Sequence, residues 1–265
     1  MNLNNESKTL FIPLLAKAVI SKKKLFFEDL KAEEIINRID YDFGKLKQSN
    51  WLSMFLSVRA SILDELCDKY LENNTDVTVI HLGCGLDSRY LRLKQKFSNW
   101  YDIDLENVID LRKEYYQEDD KYKMIGSSVL DYKWLDKIKN SHNMLVIAEG
   151  LTMYLSENEL KDLVRQMQNK FGNVHLIFDA YSKRGVKLSK FKNPVNQMDA
   201  DIKYGIDIPK DFLKLNDRLE YINTYIIKNE NNGLKGLKKI IFNHLYCGRI
   251  AQSIYKIYEF KLNGK

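Results

Sequence analysis

Two glycines and an acid stand at a spacing that could hold a nucleotide. The strand-like run at residues 77–82 breaks into Gly83-Cys84-Gly85, where glycine lets the backbone turn sharply and approach a ligand closely. Asp104 ends the next apolar run about 20 residues later, where the carboxylate of a nucleotide-binding βαβ unit accepts hydrogen bonds from both ribose hydroxyls. The spacing therefore predicts the first half of such a unit.

The third glycine of a dinucleotide fingerprint is missing. The pattern G-x-G-x-x-G needs glycine where this chain has Ser88, so a helix N-terminus that grips a pyrophosphate is disfavoured. An adenosine without phosphates fits the pattern best, and this indicates S-adenosylmethionine. The alternative is an ordinary α/β turn followed by a solvated acid, because short glycine motifs produce false positives.

A second acid ends another predicted strand. Residues 144–148 are apolar, and Glu149 and Gly150 follow them. A buried unpaired carboxylate is costly, so Glu149 should meet a cation, and the ammonium of a bound amino acid moiety would serve. The alternative is a glutamate that reaches solvent. The loop at residues 126–131 should lie at the same edge of the sheet, where ligands gather at the carboxyl ends of strands.

The elements that must position these residues alternate between strands and helices. Strands are predicted at residues 77–82, 100–103, 122–125, 144–148, 174–178, 219–227 and 254–262. Helices are predicted at residues 9–20, 27–39, 51–71, 105–116, 156–170 and 234–245, with a further helix starting at Asp87-Ser88. This order predicts an α/β fold with a mostly parallel seven-stranded sheet, helices on both faces and an N-terminal helical cap.

Three local expectations follow from the same reading. Tyr90, Leu91 and Leu93 should form the apolar face of the helix after the glycines. Arg59 lies in the predicted helix at residues 51–71, where an arginine is usually solvated. Residues 182–210 are polar and without clear periodicity, so we expect a loop or lid.

Composition points to an ordinary globular protein. Of 265 residues, 45% are hydrophobic and 29% charged, and the three cysteines have no C-x-x-C spacing. The histidines do not pair at metal-ligand spacing either, so we expect neither a disulfide framework nor a metal site. The apolar run at residues 10–20 contains Lys17 and is too short to span a membrane. We therefore expect a cytoplasmic protein with no membrane partner.

The net charge of +6 is unevenly distributed. Residues 1–60 sum to +3, residues 61–180 to −6 and residues 181–265 to +9. The lysines of the last segment are scattered, and no nucleic-acid motif accompanies them, so we expect a solvated surface and no nucleic-acid partner.

Several segments in order resemble the leucine carboxyl methyltransferase family of class I enzymes that use S-adenosylmethionine, and most closely its bacterial branch of polyketide O-methyltransferases. The matching segments are TLFIPLLAKA, LSVRASILDEL, HLGCGLDSRYLRL, WYDIDLENVIDLRK, GSSVLDYKWLD and AEGLTMYLSENEL, which span about two-thirds of the chain. The resemblance implies a Rossmann-like class I methyltransferase fold. It also implies one methyltransferase domain over residues 1–265, made of a helical cap (1–73), a cofactor-binding core (74–180) and a lid with the C-terminal strands (181–265).

The resemblance assigns the methionyl end of the cofactor to five residues. Arg59 would pair with the carboxylate, and Glu149 would face the ammonium. Gly83 and Gly85 would pass beneath the methionyl chain, with Asp87 shaping the loop.

Three more residues would hold the adenosine. Asp104 would bind the ribose hydroxyls, and Ser128 and Val129 fall where the family contacts the adenine. Many members have aspartate at the position of Ser128, which puts a side-chain contact to the adenine amine in question.

The resemblance implies an S-adenosylmethionine-dependent O-methyltransferase that releases S-adenosyl-L-homocysteine. The acceptor would be a polyketide-like small molecule, methylated on a carboxyl or hydroxyl oxygen. A carboxylate is ionised at neutral pH and needs no general base, whereas a phenol would benefit from one. Because no base stands out, an anionic carboxylate is favoured. Lys17 and Arg184 are candidates to line a cationic approach for it, and the oligomeric state is left open.

Three alternatives stay open. The enzyme could methylate the C-terminal carboxylate of a protein. It could be a dinucleotide-dependent oxidoreductase, or a protein that binds the cofactor without catalysis.

Overall fold

Seven strands form one sheet in the computed structural model of the protein, which describes residues 7–189, 201–228 and 234–264. The strands are β1 Val77–Leu82, β2 Asn99–Asp104, β3 Tyr122–Gly126, β4 Asn143–Ala148, β5 Val174–Tyr181, β6 Leu219–Tyr225 and β7 Tyr255–Leu262. Their order across the sheet is β3-β2-β1-β4-β5-β7-β6. Strands β1 to β5 run parallel, and β7 is antiparallel to both β5 and β6. The predicted mostly parallel, seven-stranded sheet is confirmed.

The register places the polar residues that follow the strands at one edge. Leu82, the last residue of β1, pairs with Ile103 of β2 on one side and with Ala148 of β4 on the other. Gly83 therefore follows the end of β1, Asp104 ends β2, and Glu149 follows the end of β4. Since the carboxyl ends of parallel strands meet, these three positions lie together.

Ten helices surround the sheet within the described ranges. They are α1 Phe11–Lys22, α2 Leu30–Arg38, α3 Asn50–Asn73, α4 Arg89–Arg92, α5 Glu106–Lys113, α6 Glu157–Phe171, α7 Lys183–Ser189, α8 Pro209–Leu213, α9 Gly236–Phe242 and α10 Arg249–Ile254. Short 3₁₀ turns lie at Ser7–Leu10, Phe43–Leu46, Tyr132–Lys137 and Thr152–Tyr154, and a π-helical turn lies at Asn243–Cys247. No helix of these ranges is long and apolar enough to cross a membrane.

Both faces of the sheet are covered. All six residues of β1 are buried, as a central parallel strand requires. Val79 packs in one apolar cluster with Leu63 of α3 and Ile109 of α5, whereas its neighbour Ile80 belongs to a second cluster with Leu160 of α6. The prediction of helices on both faces is confirmed.

Sequence signals at helix ends act as expected. Ser156 accepts a hydrogen bond from the Glu159 amide, and the Glu159 carboxylate accepts one from the Ser156 amide, so α6 begins with a capping box. Asp29 caps α2 by accepting from the Ala32 amide.

Two helical expectations were wrong. The helix after the glycines is a single turn that ends when Leu93 becomes extended, and Leu91 is 54% exposed, so it lies outside the apolar face. The C-terminal helical region also continues past the predicted end of residues 234–245, through the π-helical turn into α10.

The expected loop at residues 182–210 is partly helical. Its first part forms α7, and its last part enters α8 at Pro209, a residue suited to a first helical turn. Residues 190–200 lie outside the described ranges. The division of the chain into cap, core and lid stays a prediction.

The segment at residues 201–207 is fixed against the sheet. The amides of Lys203 and Tyr204 donate to the Met153 carbonyl at 2.7 and 3.2 Å, and the Ile206 amide donates to the Tyr181 carbonyl at 2.7 Å. Gly205 crosses the backbone of Ser182 so closely that a Cβ would lie 2.7 Å from its carbonyl carbon. The segment therefore crosses the carboxyl end of β5 at a defined position.

Candidate functional site

A cavity of about 390 Å³ opens where β1, β2 and β4 end, which is within the usual size of small-molecule sites. The family resemblance implicated eight residues in cofactor binding, and all of them line this cavity: Arg59, Gly83, Gly85, Asp87, Asp104, Ser128, Val129 and Glu149. The folded chain therefore brings together residues that lie as far as 90 positions apart in the sequence.

The glycine loop forms the floor of this cavity. Gly83 and Gly85 have φ values of +63° and +50°, a region that favours glycine. A Cβ on Gly83 would lie 3.2 Å from Leu151, and one on Gly85 would lie 3.3 Å from the Cβ of Leu10. Side chains at either position would thus be strained and would crowd the loop.

Asp104 is held by backbone donors. Its Oδ2 accepts from the Gly85 amide at 2.7 Å, and its Oδ1 accepts from the Leu105 amide at 2.8 Å. Burial raises the pKa of this carboxyl, and the two amides oppose that shift. Each oxygen keeps a lone pair free, because a carboxylate can accept about four hydrogen bonds.

The loop after β3 forms another wall. The Ser127 amide donates to the Asp104 carbonyl at 2.8 Å, which ties the loop to the end of β2. The Ser128 hydroxyl accepts from the Leu130 amide at 3.2 Å and keeps its own proton available. Val129 is buried and contributes an apolar surface.

Arg59 is buried, contrary to the expectation for a helical arginine. It is only 7% exposed, and its Nε and Nη2 donate to Glu149 Oε1 at 3.1 and 2.6 Å. Its Nη1 donates to Asp179 Oδ2 at 3.1 Å and to the Tyr255 hydroxyl at 3.0 Å. Four of the five guanidinium N–H groups are thereby used, which leaves one on Nη2.

Glu149 therefore meets cations of the protein. Besides Arg59, it is bonded to Arg89, and Lys17 Nζ lies 4.0 Å from it. Burial raises the pKa of the Glu149 carboxyl, but Lys17, Arg59 and Arg89 together hold it well below its usual range. The glutamate does not simply reach solvent, and it stays ionised at neutral pH.

Lys17 and Asp87 form a second buried ion pair. Lys17 Nζ lies 2.8 Å from Asp87 Oδ2, and Arg92 Nη1 lies 2.7 Å from Asp87 Oδ1. Burial raises the pKa of Asp87, but Arg92, Lys17 and Arg89 lower it well below its ordinary value. Asp87 thus has a cation at each of its two oxygens, and its role in shaping the loop stays a prediction.

The suggested cationic approach is not formed by the two expected residues. Lys17 does line the cavity, but it is 3% exposed and paired with Asp87, so it lies inside rather than on the way in. Arg184 is absent from the described residues that line the cavity. Lys203, which the sequence reading did not single out, is exposed and lines the cavity instead.

The far half of the cavity is apolar and aromatic. Its lining there includes Phe55, Met153, Tyr154, Tyr181, Ile202 and Tyr255. The Tyr255 ring packs edge to face on Phe55 and on Tyr181, with centroids 5.3 and 4.9 Å apart. Met153 and Tyr154 lie in the matching segment AEGLTMYLSENEL. Nothing in the sequence assigned any of these six residues to an acceptor pocket.

Asp179 and Tyr255 connect Arg59 and Gly150 to the apolar half of the cavity. The Tyr255 hydroxyl donates to Asp179 Oδ2, and the Gly150 amide donates to Asp179 Oδ1 at 2.6 Å. Burial raises the pKa of the Asp179 carboxyl from 3.8 to about 6, with Arg59 opposing and Glu149 adding to the shift. The carboxyl group is therefore poised to change its charge near neutral pH.

Comparison with known proteins finds a matching family and two similar methyltransferases. The family model for leucine carboxyl methyltransferase matches residues 3–168. The tetracenomycin polyketide synthesis O-methyltransferase TcmP of Streptomyces glaucescens is 34% identical over 212 residues, which cover 79% of this chain and 78% of that protein. The S-adenosyl-L-methionine-dependent methyltransferase dpfgK of Gibberella zeae is 29% identical over 254 residues, covering 85% of each.

Solved structures support the fold alone. A DUF574 family protein from Streptomyces avermitilis superposes with a TM-score of 0.62 at 8% identity, covering 87% of this chain and 95% of that one. Magnesium protoporphyrin IX methyltransferase from Synechocystis with bound S-adenosylmethionine superposes with a TM-score of 0.52 at 12% identity. The match covers 87% of this chain and 91% of that one. The predicted class I methyltransferase fold is confirmed.

We expect Asp179→Asn to change how stability depends on pH. A carboxyl whose pKa is raised from 3.8 to about 6 on folding stabilises the native state fully below pH 3.8, and this contribution is lost as pH rises through 6. The free energy of unfolding of the wild type, relative to Asp179→Asn, should therefore fall by about 2–3 kcal/mol between about pH 4 and pH 7. Urea denaturation across this range measures it.

Asp120→Asn, at an exposed position, is the matched control and should show no such trend. If the free energies of unfolding of the wild type and of Asp179→Asn differed by the same amount at every pH, this would contradict a raised pKa at Asp179.

Proposed function

Because this chain belongs to the leucine carboxyl methyltransferase family of S-adenosylmethionine-dependent O-methyltransferases, we propose that it methylates a small anionic acceptor on a carboxylate oxygen. One observation carries the proposal. A single cavity joins the eight implicated cofactor residues to an apolar, aromatic half bordered by the exposed cation Lys203. The relative TcmP is named for polyketide synthesis, and an aromatic wall of this kind would suit a polyketide-like acceptor.

The adenosine end of the site has the groups that the cofactor needs. Asp104 keeps free lone pairs on both oxygens, which would accept from the ribose hydroxyls. Val129 would lie against the adenine, and the Ser128 hydroxyl could still interact with an adenine nitrogen or amine. Because residues 83 and 85 are glycines, the cofactor could approach the backbone of this loop closely.

The methionyl end would be held by an arrangement of alternating charges. The carboxylate and ammonium of an amino acid are adjacent, so the neighbouring charges of Arg59 and Glu149, 2.6 Å apart, complement them. Arg59 has only one N–H left for a carboxylate. Lys17 has three N–H groups, and it forms an ion pair with Asp87. We therefore assign the carboxylate to Lys17 together with Arg59.

Bound S-adenosylmethionine supplies a methyl group on a sulfonium, which is already electrophilic, so this chain's task is chiefly to align the acceptor oxygen. Phe55, Met153, Tyr181 and Tyr255 would exclude water around the acceptor. The Tyr255 hydroxyl is bonded to both Asp179 and Arg59, so it is poorly placed to accept an acceptor proton. A carboxylate acceptor, which has no proton to lose at neutral pH, fits this site best.

Family membership argues against a dinucleotide-dependent oxidoreductase. Two alternatives remain to be tested, namely methylation of a protein's C-terminal carboxylate and cofactor binding without turnover. They differ in where the methyl group goes.

The function is tested with S-adenosylmethionine labelled on its methyl group. Purified protein and labelled cofactor are incubated with a cell extract separated into small-molecule and protein fractions. We expect label in the small-molecule fraction and its release as methanol on mild alkaline treatment, because an ester hydrolyses and an ether does not. Mass spectrometry then identifies the methylated compound.

Label in the protein fraction would favour protein carboxyl methylation. Alkali-stable label would place the methyl group on a hydroxyl. If the protein binds the cofactor but transfers no label to either fraction, the enzymatic proposal fails.

We expect Asp104→Ala to weaken cofactor binding. Loss of hydrogen bonds to a charged acceptor should cost about 1.5–3 kcal/mol, or roughly 10–150-fold in the dissociation constant. Calorimetric titration with S-adenosylhomocysteine measures this. Asp110→Ala, an exposed acid on α5, is the control, and an unchanged dissociation constant in folded Asp104→Ala would refute the ribose assignment.

We expect Lys17→Met to weaken binding only of those ligands that carry the amino acid moiety of the cofactor. Asp87 keeps Arg92 and Arg89 as partners, so the variant should fold. S-adenosylhomocysteine should bind roughly 10–150-fold more weakly, because a charge-assisted hydrogen bond is lost. Methylthioadenosine, which lacks the amino acid moiety, should bind almost unchanged. Equal losses for both ligands would show a disturbed cavity rather than a lost carboxylate contact, and Lys45→Met is the surface control.

A further inference from the structure

An apolar surface is exposed on the C-terminal helices. Leu237 and Ile240 of α9 are 71% and 64% exposed, and Ile250 of α10 is 68% exposed. Leu237 and Ile240 are three positions apart, so they share one side of the helix. Two large apolar side chains at such exposure on one side of a helix indicate an interaction surface.

The opposite side of α9 is anchored. Phe242 is fully buried in a cluster with Met54, Val58 and Ile227. The outward orientation of Leu237 and Ile240 is therefore fixed by packing.

Basic residues are close to these apolar side chains in the sequence. Lys235, Lys238, Lys239 and Arg249 are exposed, and none of them forms an ion pair within the described part of the chain. Residues 231–258 contain no aspartate or glutamate at all. The surface combines exposed aliphatic groups with a local positive charge that no acid of the described residues neutralises through an ion pair.

We propose that this basic apolar surface of α9, formed by Leu237, Lys238, Lys239 and Ile240, docks on an anionic lipid surface. Aliphatic side chains that enter the boundary of the headgroups, flanked by lysines that meet the lipid phosphates, are how amphipathic helices bind membranes. The lysines also explain why the lipid would have to be anionic.

Two other occupants fit less well. A second copy of the chain would bring two sets of these uncompensated cations together, which is unfavourable. A protein partner is usually bound through tyrosine, tryptophan or arginine at the centre of the interface, whereas leucine is under-represented and lysine is depleted there. The exposed apolar side chains here are leucine and isoleucine, and three of the four exposed cations are lysines.

Docking would place the catalytic cavity next to the lipid. Tyr246, which follows α9, stacks on Phe55 with ring centroids 4.9 Å apart, and Phe55 lines the apolar half of the cavity. An acceptor with an apolar body and a carboxylate, held at the membrane surface, would thus enter close to where it reacts. This goes beyond the proposed function and departs from the sequence-based expectation of no membrane partner, because surface docking needs no spanning helix.

The test is flotation of the full chain with vesicles. One set consists of phosphatidylcholine alone, and the other contains roughly a third phosphatidylglycerol. We expect at least about tenfold stronger partitioning onto the anionic vesicles, since each basic residue near the surface contributes about fivefold. Raising the salt to about 0.5 M should release much of the bound protein, because screening shortens the electrostatic reach.

Two variants separate the apolar and basic contributions. Leu237→Ser/Ile240→Ser and Lys238→Glu/Lys239→Glu should each reduce partitioning onto anionic vesicles by about tenfold or more. Leu30→Ser, at an equally exposed leucine on α2, and Lys139→Glu/Lys161→Glu, at exposed lysines elsewhere, are the matched controls and should change it less than about twofold. Circular dichroism and thermal melting confirm that all variants fold.

Equal partitioning of the wild type on neutral and anionic vesicles would overturn the proposal. So would binding that both surface variants leave unchanged. Sedimentation that shows a dimer abolished by Leu237→Ser/Ile240→Ser, without vesicle binding by the wild type, would assign the surface to a second copy instead.

Discussion

Buried charges must be compensated, and in this protein a continuous path of ion pairs satisfies that constraint and holds the cavity in shape. The signs alternate along Asp29, Arg92, Asp64, Arg89, Glu149, Arg59 and Asp179. The path starts at the cap of α2, passes twice through α3 and ends inside the sheet at β5. The acids at the two ends, Asp29 and Asp179, each have one ion-pair partner among the described residues, so removing Arg92 or Arg59 would leave a buried acid without its cation. The path therefore fixes the N-terminal helices relative to the sheet edge.

Much of the fold could be predicted because the parallel strands are covered on both faces. Such strands read as short apolar runs, and β1 and β4 were recognised in this way. The site at the sheet edge followed from the same runs, since Asp104 ends one strand and Glu149 directly follows another. Their meeting at one cavity is a consequence of parallel register.

The charge pairing could not be predicted, because its partners are distant in sequence. Arg59 lies 90 positions from Glu149 and 120 from Asp179, so nothing local distinguishes it from a solvated helical arginine. The same holds for Lys203, which a backbone bond to Met153 brings to the cavity. Leu91 shows the opposite error, because the buried side of this one-turn helix is occupied by Arg89 and not by Leu91.

The cofactor half and the acceptor half of the cavity therefore differ in how the sequence determines them. The cofactor half is built from motifs that are contiguous with strand ends, and its geometry depends on backbone register. The acceptor half is assembled from α3, the turn at Thr152–Tyr154, the segment at residues 201–207 and the start of β7. Arg59 touches both halves, through Glu149 on one side and Tyr255 on the other. Acceptor-side residues can thus vary with little effect on the cofactor end, except at the positions that hold Arg59 in place.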